Sequence, residues 1–356
     1  MLSDSMMNPA QRPGMLGPPP AAGAPAAQRR LRHLARQVYR PAAPALLRHA
    51  TAAAAARPDG DDDAALAVVA SGLGLRCSAL SPSGFGVRVS GLDTSQPTSP
   101  QTAALLRSLL ARHKLLLIGG GRLSAAQLGD LGRSFALGPC EEFGVAGLVD
   151  YMSGFADEPN VQLIEYGPES APADINIWHM DHLHDHHPTR FELSYCDVSP
   201  ATGGDVIFAD ACAAYDSLSP RMQGMVKDTT CLTVLANGYQ NLEIGSAEYA
   251  QAMLDKPGIE QPVISKDPDT GALSLNVNTS YSMRIQQLTK AESDVVLPML
   301  CEHVTKPEHC LRIHYEVGDI CLFDNHKVQH YAVSDYHPEP RRIMRMSMAP
   351  EKMVSA

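Results

Sequence analysis

The second half of the chain contains the stretch Gly318-Asp319-Ile320-Cys321-Leu322-Phe323-Asp324-Asn325, followed by Gln329-His330-Tyr331-Ala332 and Arg341-Arg342-Ile343-Met344. Short apolar runs that are separated by Gly, Asp and Asn predict strands with tight turns between them. Similar runs predict strands at residues 191–198, 205–209, 231–235, 272–277, 312–315, 319–323 and 342–348. The sequence therefore indicates a mainly β protein.

Helices are predicted around these strands. Leucines at helical spacing predict a helix over residues 102–111, and Ser124 is a suitable cap for a second helix that runs through Phe135. Alternating apolar residues predict a strand around residues 85–89, and an apolar run predicts a buried strand at 114–118. Three further helices are predicted at 211–218, 220–227 and 289–305. This pattern favours a double-stranded β-helix, or jelly-roll, core with helices packed outside it.

Composition excludes several classes of function. The 356 residues carry a net charge of -10, which argues against a nucleic-acid-binding surface. No run of 18 apolar residues occurs, so no membrane span is predicted. The eight cysteines form no C-x-x-C pair, which is typical of reduced, buried thiols in an intracellular protein. A small-molecule substrate is therefore expected, and the sequence leaves open whether the chain forms a homo-oligomer.

The first 63 residues differ from the rest. No acidic residue occurs between Asp4 and Asp59, whereas eight arginines accumulate there beside alanine- and proline-rich pieces. Such a leader is typical of a mitochondrial or plastid transit peptide. The alternative is a disordered tail of biased composition on a cytoplasmic protein. Either way we exclude residues 1–63 from the fold, treat 58–63 as a linker, and expect one catalytic domain over 73–350.

Three residues have the chemistry of a metal site. In the segment Trp178-His179-Met180-Asp181, a strand conformation directs His179 and Asp181 to the same face. Alone, this triplet also fits an ordinary histidine beside an aspartate at the surface. Together with His330, His179 and Asp181 form a two-histidine, one-carboxylate set that suits Fe(II) and leaves coordination positions open for substrate and oxygen.

A cationic residue follows this set. Arg342 lies twelve residues after His330, on the next predicted strand, and can face the same cavity. Its planar guanidinium is suited to holding a carboxylate through two hydrogen bonds. Metal ligands together with such a clamp are what a bound 2-oxo diacid requires.

From about Leu73 to Pro350 the sequence resembles the taurine dioxygenase family, which includes the 2,4-dichlorophenoxyacetate dioxygenases and related alkylsulfatases. The motifs that carry the resemblance are Ser90-Gly91-Leu92-Asp93, Trp178-His179-Met180-Asp181, Gly203-Gly204-Asp205, Phe208-Ala209-Asp210, Asn278 with Tyr281, Arg284-Ile285, Asp324-Asn325, Gln329-His330-Tyr331-Ala332 and Arg341-Arg342-Ile343-Met344. The resemblance implies that His179, Asp181 and His330 bind Fe(II) and that Arg342 holds the distal carboxylate of 2-oxoglutarate. It also implies hydroxylation of a small polar or anionic metabolite with O2, releasing succinate and CO2.

Two positions depart from the family pattern. Val206 replaces a threonine that helps to hold 2-oxoglutarate, and Met346 replaces an arginine that binds the sulfonate of taurine. In this alignment Arg345 points away from the cavity. A shift of one residue is the alternative, because the preceding loop is longer by one. Taurine is therefore not the expected substrate.

The remaining residues have weaker signals. His184 lies where the family lines its substrate pocket, and Arg284 can reach an anionic substrate, although a surface loop and a structural ion pair explain them equally well. Asp324 and Asn325 are expected to shape the turn before the His330 strand. The competing function is a non-redox hydrolase or metal-binding sensor that uses the same three ligands. A carboxylate clamp behind them argues against it.

Overall fold

The structure is a computed structural model that describes residues 60–135, 152–156, 158–170, 176–235, 251 and 258–356. These residues all belong to one compact unit, Leu46–Ala356. Residues 1–59 lie outside the described part, so the predicted leader stays a prediction. Among the helices that are described, none is both long and apolar enough to cross a membrane.

An eight-stranded sheet forms the larger layer. Its strands are β1 (Arg76–Ala79), β2 (Val87–Ser90), β3 (Leu115–Gly119), β4 (Met152–Gly154), β5 (Gln162–Tyr166), β6 (Thr189–Val198), β14 (Asp319–Asp324) and β16 (Arg341–Pro350). Their order is β1-β2-β3-β14-β6-β16-β5-β4, and every pairing is antiparallel except that of β2 with β3. The central strands β3 and β14 are buried on both faces, which explains their unbroken apolar runs.

The described residues form three smaller sheets as well. The sheet nearest the predicted ligands has the order β13-β7-β15, with β7 (Val206–Asp210), β13 (Cys310–Ile313) and β15 (Val328–Ala332). A second has the order β12-β8-β9, with β8 (Thr230–Thr233), β9 (Ile259–Pro262) and β12 (Ser282–Ile285). The hairpin of β10 (Ile264–Lys266) and β11 (Leu273–Leu275) is the third.

Helices cover the outer face of the large sheet. They are α1 (Gly60–Gly72), α2 (Pro100–His113) and α3 (Ala125–Phe135). Ser99 caps α2 through the backbone N–H of Thr102, and proline occupies the first helical turn, where no N–H is needed. Leucines of α2 and α3 pack with Met344, Met346 and Met348 of β16 in one core cluster.

Three further α-helices are described later in the chain: α4 (Ala211–Asp216), α5 (Pro220–Val226) and α6 (Lys290–Val304), the last followed by a short 3-10 helix, Pro307–His309. Asp210 caps α4, and Thr289 with Glu292 forms a capping box at the start of α6.

A second core cluster lies between the large sheet and the β13-β7-β15 sheet. It contains aromatic and apolar side chains from both layers, including Tyr166, Phe208, Phe323 and Ile343. The predicted metal ligands lie at the edge of this cluster. The fold thus builds the site between two sheets.

The predicted elements are found, with bounds that differ by a few residues, but the predicted linker is wrong in part. Residues 60–63 begin α1, whose Ala70 is buried against the core. This helix was not predicted because its sequence, three aspartates followed by mostly alanine and valine, has no apolar stripe at helical spacing. Strands β1, β4, β5, β9, β10 and β12, each of three to five residues, were also not predicted.

Candidate active site

The two histidines are brought together by backbone pairing. His179 and His330 form an isolated antiparallel bridge in which each backbone N–H donates to the carbonyl of the other, at 3.1 and 2.9 Å. Directly paired residues in this arrangement carry their side chains on the same face. Their imidazole centroids are accordingly 4.1 Å apart. Strand β15 therefore places the His330 side chain next to that of His179.

Asp181 completes the set. Its Oδ1 lies 3.7 Å from Nε2 of His179, and its Oδ2 lies 3.7 Å from Nε2 of His330. The backbone of Asp181 is held by Asn325, whose Oδ1 accepts from the Asp181 N–H at 2.7 Å while its Nδ2 donates to the Asp181 carbonyl at 2.9 Å. Asn325 has no exposed surface. The backbone of Asp181 is thus held by a buried amide side chain.

The protonation of the histidines suits metal binding. Nδ1 of His179 lies 2.8 Å from the carbonyl oxygen of Ile177, which can only accept, so Nδ1 carries the proton and Nε2 keeps its lone pair. Burial, reinforced by His179, lowers the pKa of His330 to about 3. The His330 imidazole is therefore neutral at physiological pH and able to donate a lone pair.

The carboxylate is ionised. Burial by itself would raise the pKa of Asp181, but the guanidinium of Arg345 and the neighbouring histidines hold it well below its usual range. Arg345 Nη1 lies 3.3 Å from Asp181 Oδ1. One atom from each of His179, Asp181 and His330 lies within 4.8 Å of the others, so the three residues can share one cation. Two neutral imidazoles and a carboxylate on one side of a cavity fit Fe(II) with open coordination positions.

A cavity opens in front of these ligands. Its empty space, including the open mouth, is about 750 Å³. Its lining comes from β5, β6, β7, β14, β15, β16 and the segments beside them: Ile164, Tyr166, His179, Asp181, Glu192, Ser194, Val206, Phe208, Tyr315, Phe323, His330, Ala332, Val333, Ser334, Tyr336, Arg341, Ile343 and Arg345.

The predicted clamp, Arg342, lies outside the cavity wall. Arg342 does not line the cavity; it pairs with Glu165 and Asp197, and its side chain is 41% exposed. Because side chains alternate along a strand, Arg341, Ile343 and Arg345 face the cavity instead. The arginines that face the cavity are therefore those expected from the alternative alignment, which is shifted by one residue.

The same alternation corrects the predicted orientations of the Met346 and Arg345 side chains. Met346 is fully buried on the outer face of the sheet, where it packs beneath α3 and not against the cavity. Arg345, which we expected to point away, faces the cavity and contacts Asp181. Val206 does line the cavity and is buried.

Two other predicted substrate residues lie elsewhere. Arg284 is exposed on β12 and donates to the carbonyl of Leu288. His184 does not line the cavity; its ring stacks obliquely on Tyr281 at 5.0 Å, and it forms a small cluster with His182 and Asp185. The structure thus brings together His179, Asp181, His330 and Val206, but neither Arg284 nor His184.

Four contributors were missed from the sequence: Glu192, Asn325 as a support for Asp181, Arg341 and Arg345. Strict alternation back from Met344, Met346 and Met348 would have placed both arginines on the opposite face of the strand, which is the cavity face. Glu192 gave no usable signal, since a glutamate between Phe191 and Leu193 also fits the solvent face of an edge strand.

Comparison with known proteins agrees with this geometry. Residues 78–347 match the model of the family described as taurine catabolism dioxygenase TauD, TfdA. The chain is 27% identical over 281 residues to an alkylsulfatase from Acinetobacter baylyi, covering 76% of this chain and 84% of the relative. It is 25% identical over 281 residues to an alpha-ketoglutarate-dependent sulfate ester dioxygenase from Pseudomonas putida, covering 75% and 87%.

Solved structures share the fold. A taurine dioxygenase from Burkholderia xenovorans superposes with a TM-score of 0.64 at 22% identity, covering 79% of this chain and 93% of its own. AAD-2, solved in complex with Mn(II) and N-oxalylglycine, superposes with a TM-score of 0.62 at 22% identity, covering 79% and 99%.

Proposed function

The chain belongs to the taurine catabolism dioxygenase TauD, TfdA family, and from this premise we propose that it hydroxylates a small polar or anionic metabolite in the cavity between β6, β7, β15 and β16. It is a 2-oxoglutarate-dependent dioxygenase that requires Fe(II). The observation that carries the proposal is the convergence of His179, Asp181 and His330 at a cavity that also holds two arginines.

His179, Asp181 and His330 would hold Fe(II). With Fe(II), 2-oxoglutarate and O2 bound, the site supplies oxidative decarboxylation to succinate and CO2 coupled to insertion of one oxygen atom into a substrate C–H bond. The chain's own contribution is to keep the His330 imidazole neutral, to orient His179 through the Ile177 carbonyl, to keep Asp181 ionised through Arg345, and to hold the Asp181 backbone through Asn325. Such supporting contacts set ligand orientation and strength.

Arg341 is our candidate for the residue that holds the distal carboxylate of 2-oxoglutarate. It lines the cavity, as Val206 does, and its guanidinium lies 5.7 Å from the ring centre of Tyr336. Within the described part of the chain Arg341 has no carboxylate partner, in contrast to Arg342 with two. An uncompensated guanidinium in a cavity wall is a suitable partner for an incoming carboxylate.

We further infer that the large sheet and the β13-β7-β15 sheet are the two halves of a double-stranded β-helix. Their inner faces share the core cluster of Phe208, Phe323 and Ile343. The metal ligands would then lie at one end of that barrel-like core.

The test is succinate release from 2-oxoglutarate in the presence of Fe(II), a reductant and O2, read across a panel of small polar, carboxylated and sulfated metabolites. His179→Ala should abolish the activity. Substrate-dependent succinate formation by the wild type is the expected result, and its absence with every metabolite while the protein retains zinc tightly would contradict the proposal.

The two adjacent arginines of β16 allow a matched test of which one holds the distal carboxylate of 2-oxoglutarate. Arg341→Ala should raise the KM for 2-oxoglutarate by about ten- to a hundredfold, the loss expected for charge-assisted hydrogen bonds to a carboxylate. Arg342→Ala makes the same chemical change on the opposite face of the strand and should leave that KM within about twofold. A larger effect of Arg342→Ala than of Arg341→Ala would return the assignment to Arg342.

A further inference from the structure

A second set of residues with metal-binding chemistry lies on the loop that directly follows Asp181. Among the described residues, two clusters offer ligand atoms within 4.8 Å of one another: the candidate Fe(II) ligands, and the set of His182, His184 and Asp185. The two clusters have no residue in common. None of the three residues of the second cluster lines the cavity in front of the candidate Fe(II) ligands. The second cluster is therefore separate from the candidate active site.

The ligand atoms of this second cluster have the spacing of metal ligands. His182 Nδ1 lies 3.5 Å, and His184 Nε2 lies 3.8 Å, from the same carboxylate oxygen, Asp185 Oδ2. Direct N–H···O hydrogen bonds span about 2.7–3.2 Å, whereas ligand atoms around a tetrahedral Zn(II) ion lie about 3.3–3.4 Å apart. Within the candidate Fe(II) set the corresponding nitrogen-to-oxygen distances are 3.7 Å. The spacing thus fits a shared ion better than direct hydrogen bonds.

The loop is held in this shape by buried contacts. Leu183, between the two histidines, is fully buried, and its carbonyl accepts from Nε2 of Gln261 at 3.3 Å. The same Nε2 donates to the carbonyl of Asp185 at 2.7 Å. The N–H of Asp185 donates to the carbonyl of His182 at 2.8 Å, and His182 has a φ of 57°, in the left-handed region. Such backbone outliers occur at ligand clamps, and a preformed loop loses little entropy when it binds a ligand.

The chemistry of the three ligands favours a metal ion with an affinity for nitrogen. Two imidazoles and one carboxylate suit Zn(II), whereas Ca(II) and Mg(II) prefer oxygen ligands. Three protein ligands leave the fourth tetrahedral position for water. The side chain of Asp185 is 43% exposed, so an ion can reach the cluster from solvent. The ring of His184 packs on Tyr281 at a centroid distance of 5.0 Å, which restricts its rotation.

We propose that His182, His184 and Asp185 bind one Zn(II) ion at a site distinct from the candidate Fe(II) site. His182 binds through Nδ1, His184 through Nε2 and Asp185 through Oδ2. This inference goes beyond the proposed function and does not depend on it, because none of the three residues takes part in the proposed oxidation. Bound Zn(II) joins the two ends of the turn that follows Asp181 and stabilises the folded chain.

The experiment counts the zinc bound to the full chain after the candidate Fe(II) site has been disabled. His179→Ala removes one candidate Fe(II) ligand, so zinc that this variant still binds is held elsewhere. Three changes are then added to it separately: His184→Gln, Asp185→Asn and His187→Gln. The last is the matched control, because His187 is an exposed histidine of the same loop and is not a member of the cluster. Zinc is measured by equilibrium dialysis with atomic absorption, and thermal unfolding is recorded with and without zinc.

His179→Ala should bind one equivalent of Zn(II), and Zn(II) should raise its Tm. Adding His184→Gln should weaken the Zn(II) affinity by at least about a hundredfold and abolish the rise in Tm, because the loss of even a supporting contact of a metal ligand costs about ten- to a hundredfold. Adding His187→Gln should leave both the affinity and the rise in Tm unchanged. The same His184→Gln change in the wild-type chain should lower its zinc content by one equivalent, so the result does not depend on His179→Ala.

Asp185→Asn guards against misfolding of His184→Gln, because it exchanges a partly exposed carboxylate for an amide of the same size and should also weaken Zn(II) binding at least about tenfold. No bound zinc in His179→Ala, or an unchanged zinc affinity in both His184→Gln and Asp185→Asn, would overturn the inference. An equal loss of affinity in His187→Gln would overturn it as well, since the zinc would then be held by exposed histidines in general.

Discussion

Replacing Asn325 by alanine would release the backbone of a metal ligand without touching any ligand atom. The side chain of Asn325 makes three buried hydrogen bonds: it accepts from the Asp181 N–H at 2.7 Å and donates to the carbonyls of Asp181 and Thr189 at 2.9 and 2.8 Å. These contacts tie the Asp181 segment to the turn between β14 and β15. We expect Asn325→Ala to weaken both the fold and the metal site.

The magnitude follows from the three lost contacts. Each buried hydrogen bond contributes about 0.5–1.5 kcal/mol, so the free energy of unfolding should fall by about 2–4 kcal/mol. For a domain of this size that corresponds to a decrease in Tm of roughly 5–10 °C. Loss of a supporting contact typically reduces metal affinity by about ten- to a hundredfold. Asp181 should accordingly bind Mn(II) more weakly.

The assay is calorimetric titration of Mn(II) into the metal-free variant, together with thermal unfolding. Asn276→Ala is the control, because Asn276 is equally buried but does not line the cavity. It should lower the Tm and leave Mn(II) affinity unchanged. Wild-type Mn(II) affinity in Asn325→Ala, despite a lowered Tm, would refute the claim that this amide positions Asp181.

Three further changes have defined outcomes. Lys327 is buried between Asp267 and Asp324, its Nζ 3.0 Å from Asp324 Oδ2. Lys327→Met should cost about 3–5 kcal/mol in urea unfolding, because the buried carboxylate of Asp324 loses this ion pair, whereas Asp267 keeps Arg190; a loss below 1 kcal/mol would contradict this. Burial lowers the pKa of His326 below its ordinary 6.5. The stabilisation by the neutral histidine is therefore complete above pH 6.5 and is lost as the pH falls through the lowered folded pKa. His326→Gln should flatten the pH dependence of the free energy of unfolding below pH 6.5, and an unchanged slope would exclude His326 as the source of that dependence. Val206→Thr should lower the KM for 2-oxoglutarate up to about tenfold if the added hydroxyl reaches its carboxylate, and an unchanged KM would place that carboxylate elsewhere.

The ligand set could be predicted from sequence because its requirements are local. His179 and Asp181 need only a spacing of two residues, and His330 lies within a short apolar strand whose period is also two. The supporting contacts could not be predicted in this way. Asn325 reaches Asp181 across 144 positions, and Glu192 meets Arg345 across the β6–β16 pairing. Such pairs depend on the register between strands that are distant in sequence.

The register of β16 shows why Arg341 and Arg345, and not Arg342, face the cavity. In the observed register Met344, Met346 and Met348 lie beneath the helices, with Met346 fully buried next to Gly132 of α3. A shift by one would move Arg345 into that apolar layer and Met346 into the cavity. Burying an unpaired guanidinium costs several kcal/mol, far more than any difference between the two arginines as clamps. The apolar face of the strand, and not the arginine motif, therefore determines which guanidinium faces the metal ligands.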